Sequence, residues 1–185
     1  MSVEVVAWSA DWARDFERVA ADLRTALAAV PGSRVEHVGS TSVPGLAAKP
    51  ILDIDVIVPP AAVPAAVSAL TEIGYVHRGD LGVVGREAFV APDDSPRRHV
   101  YVCAAGTTNV RNHLAVRDAL RTHQDLRDAY AEVKRALAAD PDMDIDTYIA
   151  RKSAVLQRVL AVSGEFTDAE LHAIHLLNDP AASKS

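Results

Sequence analysis

Residues 35–58 read VEHVGSTSVPGLAAKPILDIDVIV: a short strand, a loop of small residues, and a strongly apolar strand that carries two carboxylates. Asp53 and Asp55 are two apart, so on a strand both side chains leave the same face. Their neighbours Ile51, Leu52, Ile54, Val56, Ile57 and Val58 are apolar. Two carboxylates set into such a run are costly to desolvate unless a cation or hydrogen-bond donors meet them. A metal or phosphate site is the first expectation. The Gly39-Ser40 loop strengthens it, because an opened loop offers backbone N–H groups and a hydroxyl to phosphate oxygens, while paired carboxylates hold Mg²⁺ that bridges the same phosphates. Gly-Ser alone is a common turn and D-x-D alone is often a solvated strand end. Together they match what phosphoryl or nucleotidyl transfer needs.

Moving outward, the chain has 185 residues with 49% apolar content, which suits one core, or one domain with a helical extension. A formal net charge of −6 argues against a nucleic-acid partner held by electrostatics. The single cysteine, Cys103, excludes an internal disulfide framework and a cysteine zinc site, fits a reducing compartment, and reads as a small apolar strand residue. The N-terminal MSVEVVAW lacks the basic-then-apolar pattern of a signal peptide, and no apolar run approaches the roughly 20 residues a membrane helix requires. The expectation is a cytoplasmic protein with no membrane contact.

Trp12, Phe16, Val19, Leu23, Leu27 and Val30 recur at helical spacing after Ser9, a natural N-cap, and Pro31-Gly32 ends the run. Strands are predicted at 34–38, 51–58, 75–78, 87–91 and 99–104, with a helix from about Pro64 to Glu72 and a turn through Pro92–Pro96. From Thr108 the pattern turns helical, over 108–122, 124–139 and 144–162, and Thr167-Asp-Ala-Glu170 forms a capping box for a short last helix. The fold class is therefore α+β, a mixed sheet with flanking helices and a C-terminal helical segment.

The helices add cations in unusual places. Ile145, Tyr148, Ile149, Lys152, Leu156 and Val159 share one stripe, so Lys152 stands in the middle of an apolar face, where it must snorkel to water or find an anion. His113 and Arg117 are four apart, as are Tyr130 and Lys134. These placements suggest cationic groups lining a cleft opposite the carboxylates, with Lys49, His37, Arg86 and Arg98 as weaker candidates. His172 and His175 lack a third metal ligand, and no nucleophile-elbow sequence places a serine for a hydrolase triad.

The stretch EHVGSTSVPGLAAKPILDIDV at 36–56 resembles the signature of the GrpB family, whose fold is that of polymerase β-type nucleotidyltransferases. The resemblance continues through Trp12 and Phe16, GYVHRGDLGVVGREAF at 74–89, RRHVYV at 97–102, NHLAVRDALRTH at 112–123, Tyr130 with Lys134, and Tyr148 with Lys152, covering about residues 6–160. It implies one nucleotidyltransferase-fold domain over 1–162, with an αβ core to 107 and a helical part after it, followed by a short helix and frayed tail over 163–185. The wider superfamily usually adds a third carboxylate on a later strand. Here that strand reads Arg97-Arg98-His99-Val100-Tyr101, with no acid; His99 and Tyr101 share a face, and Glu87 is a substitute acid to consider.

The resulting expectation is that Asp53, Asp55 and His99 are catalytic, the two aspartates holding Mg²⁺. Gly39, Ser40, Thr41, Lys49, Arg98, Tyr101, His113, Arg117, Lys134, Tyr148 and Lys152 would contact a nucleotide or other phosphorylated or anionic small molecule, with transfer of a nucleotidyl group to a small acceptor. Two alternatives stay open: acid–base chemistry on a non-nucleotide substrate in the same cleft, and a non-catalytic binding or folding-assisting module like the GrpB domains fused to dephospho-CoA kinase. The chain has no P-loop of its own, and the sequence leaves the oligomeric state open.

Overall fold

The computed structural model describes residues 5–139 and 145–178, with side chains over 5–136, at 139 and over 152–176. The first helix, α1 (Asp11–Ala26), buries Trp12, Phe16, Val19, Ala20 and Leu23, as the spacing predicts. The Ser9 hydroxyl accepts a hydrogen bond from the Asp11 N–H at 3.1 Å, satisfying one of the open donors of the first turn. After a turn that buries Leu27 and Val30 come β1 (Arg34–Val38) and β2 (Leu52–Val58), joined by a loop with a short 3₁₀ turn at Ser40–Ser42. Then follow α2 (Val63–Glu72), β3 (Val76–His77), β4 (Arg86–Val90) and β5 (Arg98–Ala104). Four helices complete the order: α3 (Thr108–Thr122), α4 (Gln124–Ala138), α5 (Ile145–Ser163) and α6 (Asp168–Asn178).

The sheet runs β1-β2-β5-β4-β3. β2 pairs antiparallel with β1 and parallel with β5, and β4 pairs antiparallel with both β5 and β3. Strand period two then divides the sheet into two unlike faces. On one, Leu52, Ile54, Val56, Val58, Val100, Val102 and Phe89 join Trp12, Phe16, Leu23, Ala66 and Leu70 of α1 and α2 in the main core. On the other, Asp53, Asp55 and Ile57 of β2 stand beside His99, Tyr101 and Cys103 of β5, which face Ala88 and Arg86 of β4.

The helices after β5 cover this second face. Val43 and Leu46 of the β1–β2 loop are fully buried among Ala119, Leu120, Leu126, Tyr130, Ala131 and Val159. The loop is thus clamped between sheet and helices, and Arg121 of α3 adds two hydrogen bonds to the Ser42 carbonyl, at 2.8 and 3.0 Å. The capping box before α6 forms as read, with Thr167 N–H donating to Glu170 Oε2 at 2.8 Å and Glu170 N–H returning to Thr167 Oγ1 at 3.3 Å. Among the described residues no helix is long and apolar enough to cross a membrane.

Candidate active site

Two cavities open between the Gly-Ser loop, the polar sheet face and α3–α5. The larger, of about 280 Å³, is bordered by Gly39, Ser40, Asp53, Arg86, Tyr101, Asn112, His113, Tyr130 and Lys152, with Val116, Leu120 and Leu156 as an apolar wall. The smaller, of about 130 Å³, is bordered by Ser40, Thr41, Lys49, Asp53, His99, Lys134 and Lys152. Ser40, Asp53 and Lys152 border both, so they stand at the waist of one two-part cleft.

The loop geometry explains its sequence. Gly39 has φ +68°, and a Cβ there would fall on Asp53 Oδ2 and within 2.9 Å of the Asp53 Cβ. Only glycine both adopts that backbone and lets the carboxylate touch the chain. Ser42 donates its hydroxyl to the Gly39 carbonyl at 2.6 Å, and Thr41 is buried, hydrogen-bonded to His37 Nε2 at 3.0 Å. Of the polar trio, Ser40 borders the cleft fully while Thr41 acts mainly as an anchor to His37.

Each aspartate is met by a histidine from a distant element. Asp53 Oδ1 accepts from His99 Nδ1 at 3.0 Å across the parallel β2–β5 pair, and Asp55 Oδ2 accepts from His113 Nδ1 of α3 at 2.7 Å. The hydrogen bond to Asp53 raises the pKa of His99 above its ordinary value, against the effect of burial. Burial opposes charge on His113 most, yet the hydrogen bond and the charge of Asp55 outweigh it and its pKa is also raised. Asp55 is fully buried, and its Oδ1 has no hydrogen-bond partner. An unspent carboxylate oxygen without solvent is the kind of vacancy a cation fills.

Metal fit follows from this donor set. Among the described residues no group of three His, Cys, Asp or Glu side chains is disposed to hold an ion by itself. Mg²⁺ rarely needs such a cage, because it takes one or two carboxylates and completes its shell with water and substrate phosphates. Asp53 and Asp55, each with one oxygen already oriented by a histidine, fit that arrangement, and the histidines then act as supports to the ligating carboxylates.

The cationic residues separate into those at the cleft and those used elsewhere. Lys152 and Lys49 border it. Lys134, nearly buried, donates to the Ala47 carbonyl at 2.8 Å and lies 5.2 Å from the Tyr130 ring centre. Burial and then the charge of Lys152 bring its pKa down to about 7. Tyr101 presents its ring to the Arg86 guanidinium at 4.7 Å.

Other predicted residues lie away from the cleft. Arg98 alternates with His99 and so points to the apolar face, where it forks onto Asp93 at 2.8 and 2.9 Å and donates to Tyr75 Oη at 3.0 Å. Glu87 also lies on that face and pairs with His77 at 2.6 Å, so it supplies no third carboxylate. Arg117 is engaged by Glu36 at 2.7 Å and by the His37 carbonyl at 3.3 Å, and does not border the cleft. His37 stacks on Phe16, ring centres 4.6 Å apart, and burial brings its pKa down to about 4. Tyr148 falls on α5, outside the residues whose side chains are described. Sequence reasoning had no role for Asn112, and no local signal marks it; it borders the cleft because it precedes His113 on α3.

The chain belongs to the GrpB family: the family model described as GrpB protein matches residues 2–161. A UPF0157 protein of Halalkalibacterium halodurans is 35% identical over 161 residues, 86% of this chain and 81% of the relative. A dephospho-CoA kinase of Mycolicibacterium paratuberculosis is 28% identical over 176 residues, and there the match covers 43% of the relative. The crystal structure of conserved protein GrpB from Enterococcus faecalis superposes with a TM-score of 0.73 at 34% identity, covering 86% of this chain and 96% of that one. A chain of the GLD-2/RNP-8 complex superposes with a TM-score of 0.56 at 17% identity, covering 82% of this chain and 60% of that one. The fold is accordingly that of the nucleotidyltransferases.

Proposed function

We propose that this GrpB-family chain binds a nucleoside triphosphate, or a closely related phosphorylated small molecule, together with Mg²⁺, and transfers a nucleotidyl group to a small acceptor. The observation that carries the reading is charge sorting. In a chain of net charge −6, Arg86, Lys49, Lys134 and Lys152 gather around one cleft that Asp53 borders, with Asp55 buried beside it on the same sheet face. A ligand that suits both sets is a polyanion that brings a cation with it.

Asp53 and Asp55 would hold the ion through the oxygens their histidines leave unspent. When bound, Mg²⁺ would neutralise phosphate charge and favour in-line displacement of pyrophosphate. The Gly39-Ser40 loop orients the phosphates, and Lys49, Lys134 and Lys152 balance their charge. His99, tied to Asp53 through Nδ1, keeps Nε2 as the atom that takes a proton from the acceptor, the task a third carboxylate performs elsewhere in the superfamily.

The Asp53–His99 and Asp55–His113 pairs also favour a second reading, in which the same cleft performs acid–base chemistry without metal. Calorimetry separates the two. ATP is expected to bind at least about tenfold more tightly with Mg²⁺ than without, a difference of about 1.4 kcal/mol. Asp53→Asn combined with Asp55→Asn should erase it. Equal affinity in all four conditions would remove the metal–nucleotide reading.

A further inference from the structure

The larger half of the cleft contains an arginine with no partner that explains it. Arg86 opens β4, and its register with Cys103 turns it toward the face of Asp53, Asp55 and Tyr101. Its guanidinium lies on the Tyr101 ring, its Nε is buried without a hydrogen-bond partner, and among the described residues no carboxylate pairs with it. Other arginines packed against the sheet are treated differently: Arg98 has Asp93 and Tyr75, Arg117 has Glu36, and Arg121 has the Ser42 carbonyl. A buried guanidinium donor left open costs free energy that an incoming acceptor recovers.

The surroundings specify that acceptor. Of the phosphate-compatible groups, Thr41, Lys49 and Lys134 belong to the smaller half alone, and Ser40 and Lys152 stand at the waist between the two. The larger half has hydrocarbon from Val116, Leu120 and Leu156, with Asn112 as a neutral polar neighbour. Arg86 brings one positive charge close to the field of Asp53 and Asp55, which also acts on Tyr101. A carboxylate is balanced one to one by Arg86, which leaves Lys152 at the waist for the phosphates of the smaller half. Guanidinium also matches a carboxylate in fork geometry, which lysine does not.

We infer that the half-cleft bordered by Arg86, Tyr101, Asn112, Val116, Leu120 and Leu156 is a second ligand subsite for a small organic acid, its carboxylate on Arg86 and its hydrocarbon body on the leucine–valine wall. This deepens the proposed function by naming the chemical class of the acceptor, an acid whose separate hydroxyl or amine would lose its proton to His99, bond to the α-phosphorus and release pyrophosphate, and it rests on that reading only for the word acceptor. The subsite itself requires neither nucleotide nor metal.

The test uses the Nε–H resonance of Arg86, identified by its loss in Arg86→Gln, in protein free of nucleotide and metal. Titration with 3-phenylpropionate is expected to shift that resonance saturably, and 3-phenylpropanamide is expected to leave it in place. Arg86→Gln should weaken the acid at least about tenfold, the scale of a charge-assisted hydrogen bond, while leaving the melting temperature of the ligand-free protein unchanged or higher. Three outcomes overturn the inference: the amide acts as strongly as the acid; pyrophosphate moves the resonance and the acid does not; or Arg86→Gln melts several degrees lower with acid binding intact, making Arg86 a structural counter-ion of the aspartates. Parallel titration with MgATP keeps the two claims apart. Response to the acid without MgATP binding removes the nucleotide reading alone, and MgATP binding without response to the acid removes this inference alone.

Discussion

The two faces of the sheet use the same strands for opposite ends. β2 sends Leu52, Ile54, Val56 and Val58 into a core closed by α1 and α2, and on its other face sends Asp53 to a cleft roofed by α3–α5 and Asp55 to His113 of α3 beneath it. Histidine shows the contrast most directly. On the apolar face His37 is stacked against Phe16 and held neutral by burial, while on the other face His99 and His113 are held toward the charged form by aspartates. Core packing and the candidate site are thus divided residue by residue along one strand, and a mutation should affect mainly one of them.

The largest expected effect falls on the apolar face. Ile54, fully buried in the main core, when cut to alanine should cost about 2–5 kcal/mol in chemical denaturation, whereas Asp53→Asn should change unfolding far less and act on ligand binding. Comparable losses from both would break the division. Gly39→Ala comes next, because it strains the backbone and displaces the Asp53 carboxylate at once. A loss on the order of 1–3 kcal/mol in melting experiments, together with loss of the Mg²⁺-dependent gain in ATP affinity, is expected; retention of that gain would show that the loop and Asp53 work separately.

His37 gives a pH signature. Its folded-state pKa of about 4 lies below the ordinary 6.5, so between these values the unfolded chain binds more protons than the folded one. The associated stability is complete above about pH 6.5 and is lost as pH falls toward 4, by up to roughly 3 kcal/mol. His37→Phe should flatten that part of the stability profile, and an unchanged slope would place the titration elsewhere. Arg98→Gln should cost about 1–3 kcal/mol through the Asp93 and Tyr75 contacts and leave ligand affinity unaltered in calorimetry; a drop in affinity would bring Arg98 back to the cleft. Smallest of all, Glu87→Gln removes a partly exposed pair with His77 and should shift stability by less than about 1 kcal/mol with no effect on ligands.

What could be read in advance follows the same physics. Local periodicity located α3 and the strands to within a residue or two and the start of α1, whose last predicted turn is a 3₁₀ turn over Leu27–Ala29, and parity put Asp53 and Asp55 on one face. Parity also carried an unused warning, since Arg98 alternates with His99 and could not share its face. What lay beyond the sequence was long-range partnership: Asp55 with His113, Arg117 with Glu36, Lys134 with the Ala47 carbonyl. Those contacts depend on how three helices settle over the sheet, which no local pattern specifies. Arg86 was undervalued for the same reason, because its face is fixed only by register with β5.

The parallel pairing of β2 with β5 also bears on how the chain matures. Asp53 and His99 are separated by 46 positions and Asp55 and His113 by 58, so neither pair can form while only the first strands have been synthesised. Contacts of that span close slowly, after the intervening segment has ordered. Until then both aspartates sit in water with no preferred partner, and Lys152, near the far end of the cleft's sequence, completes it last. The proposed ligand site is therefore a property of the folded whole and not of the nascent chain.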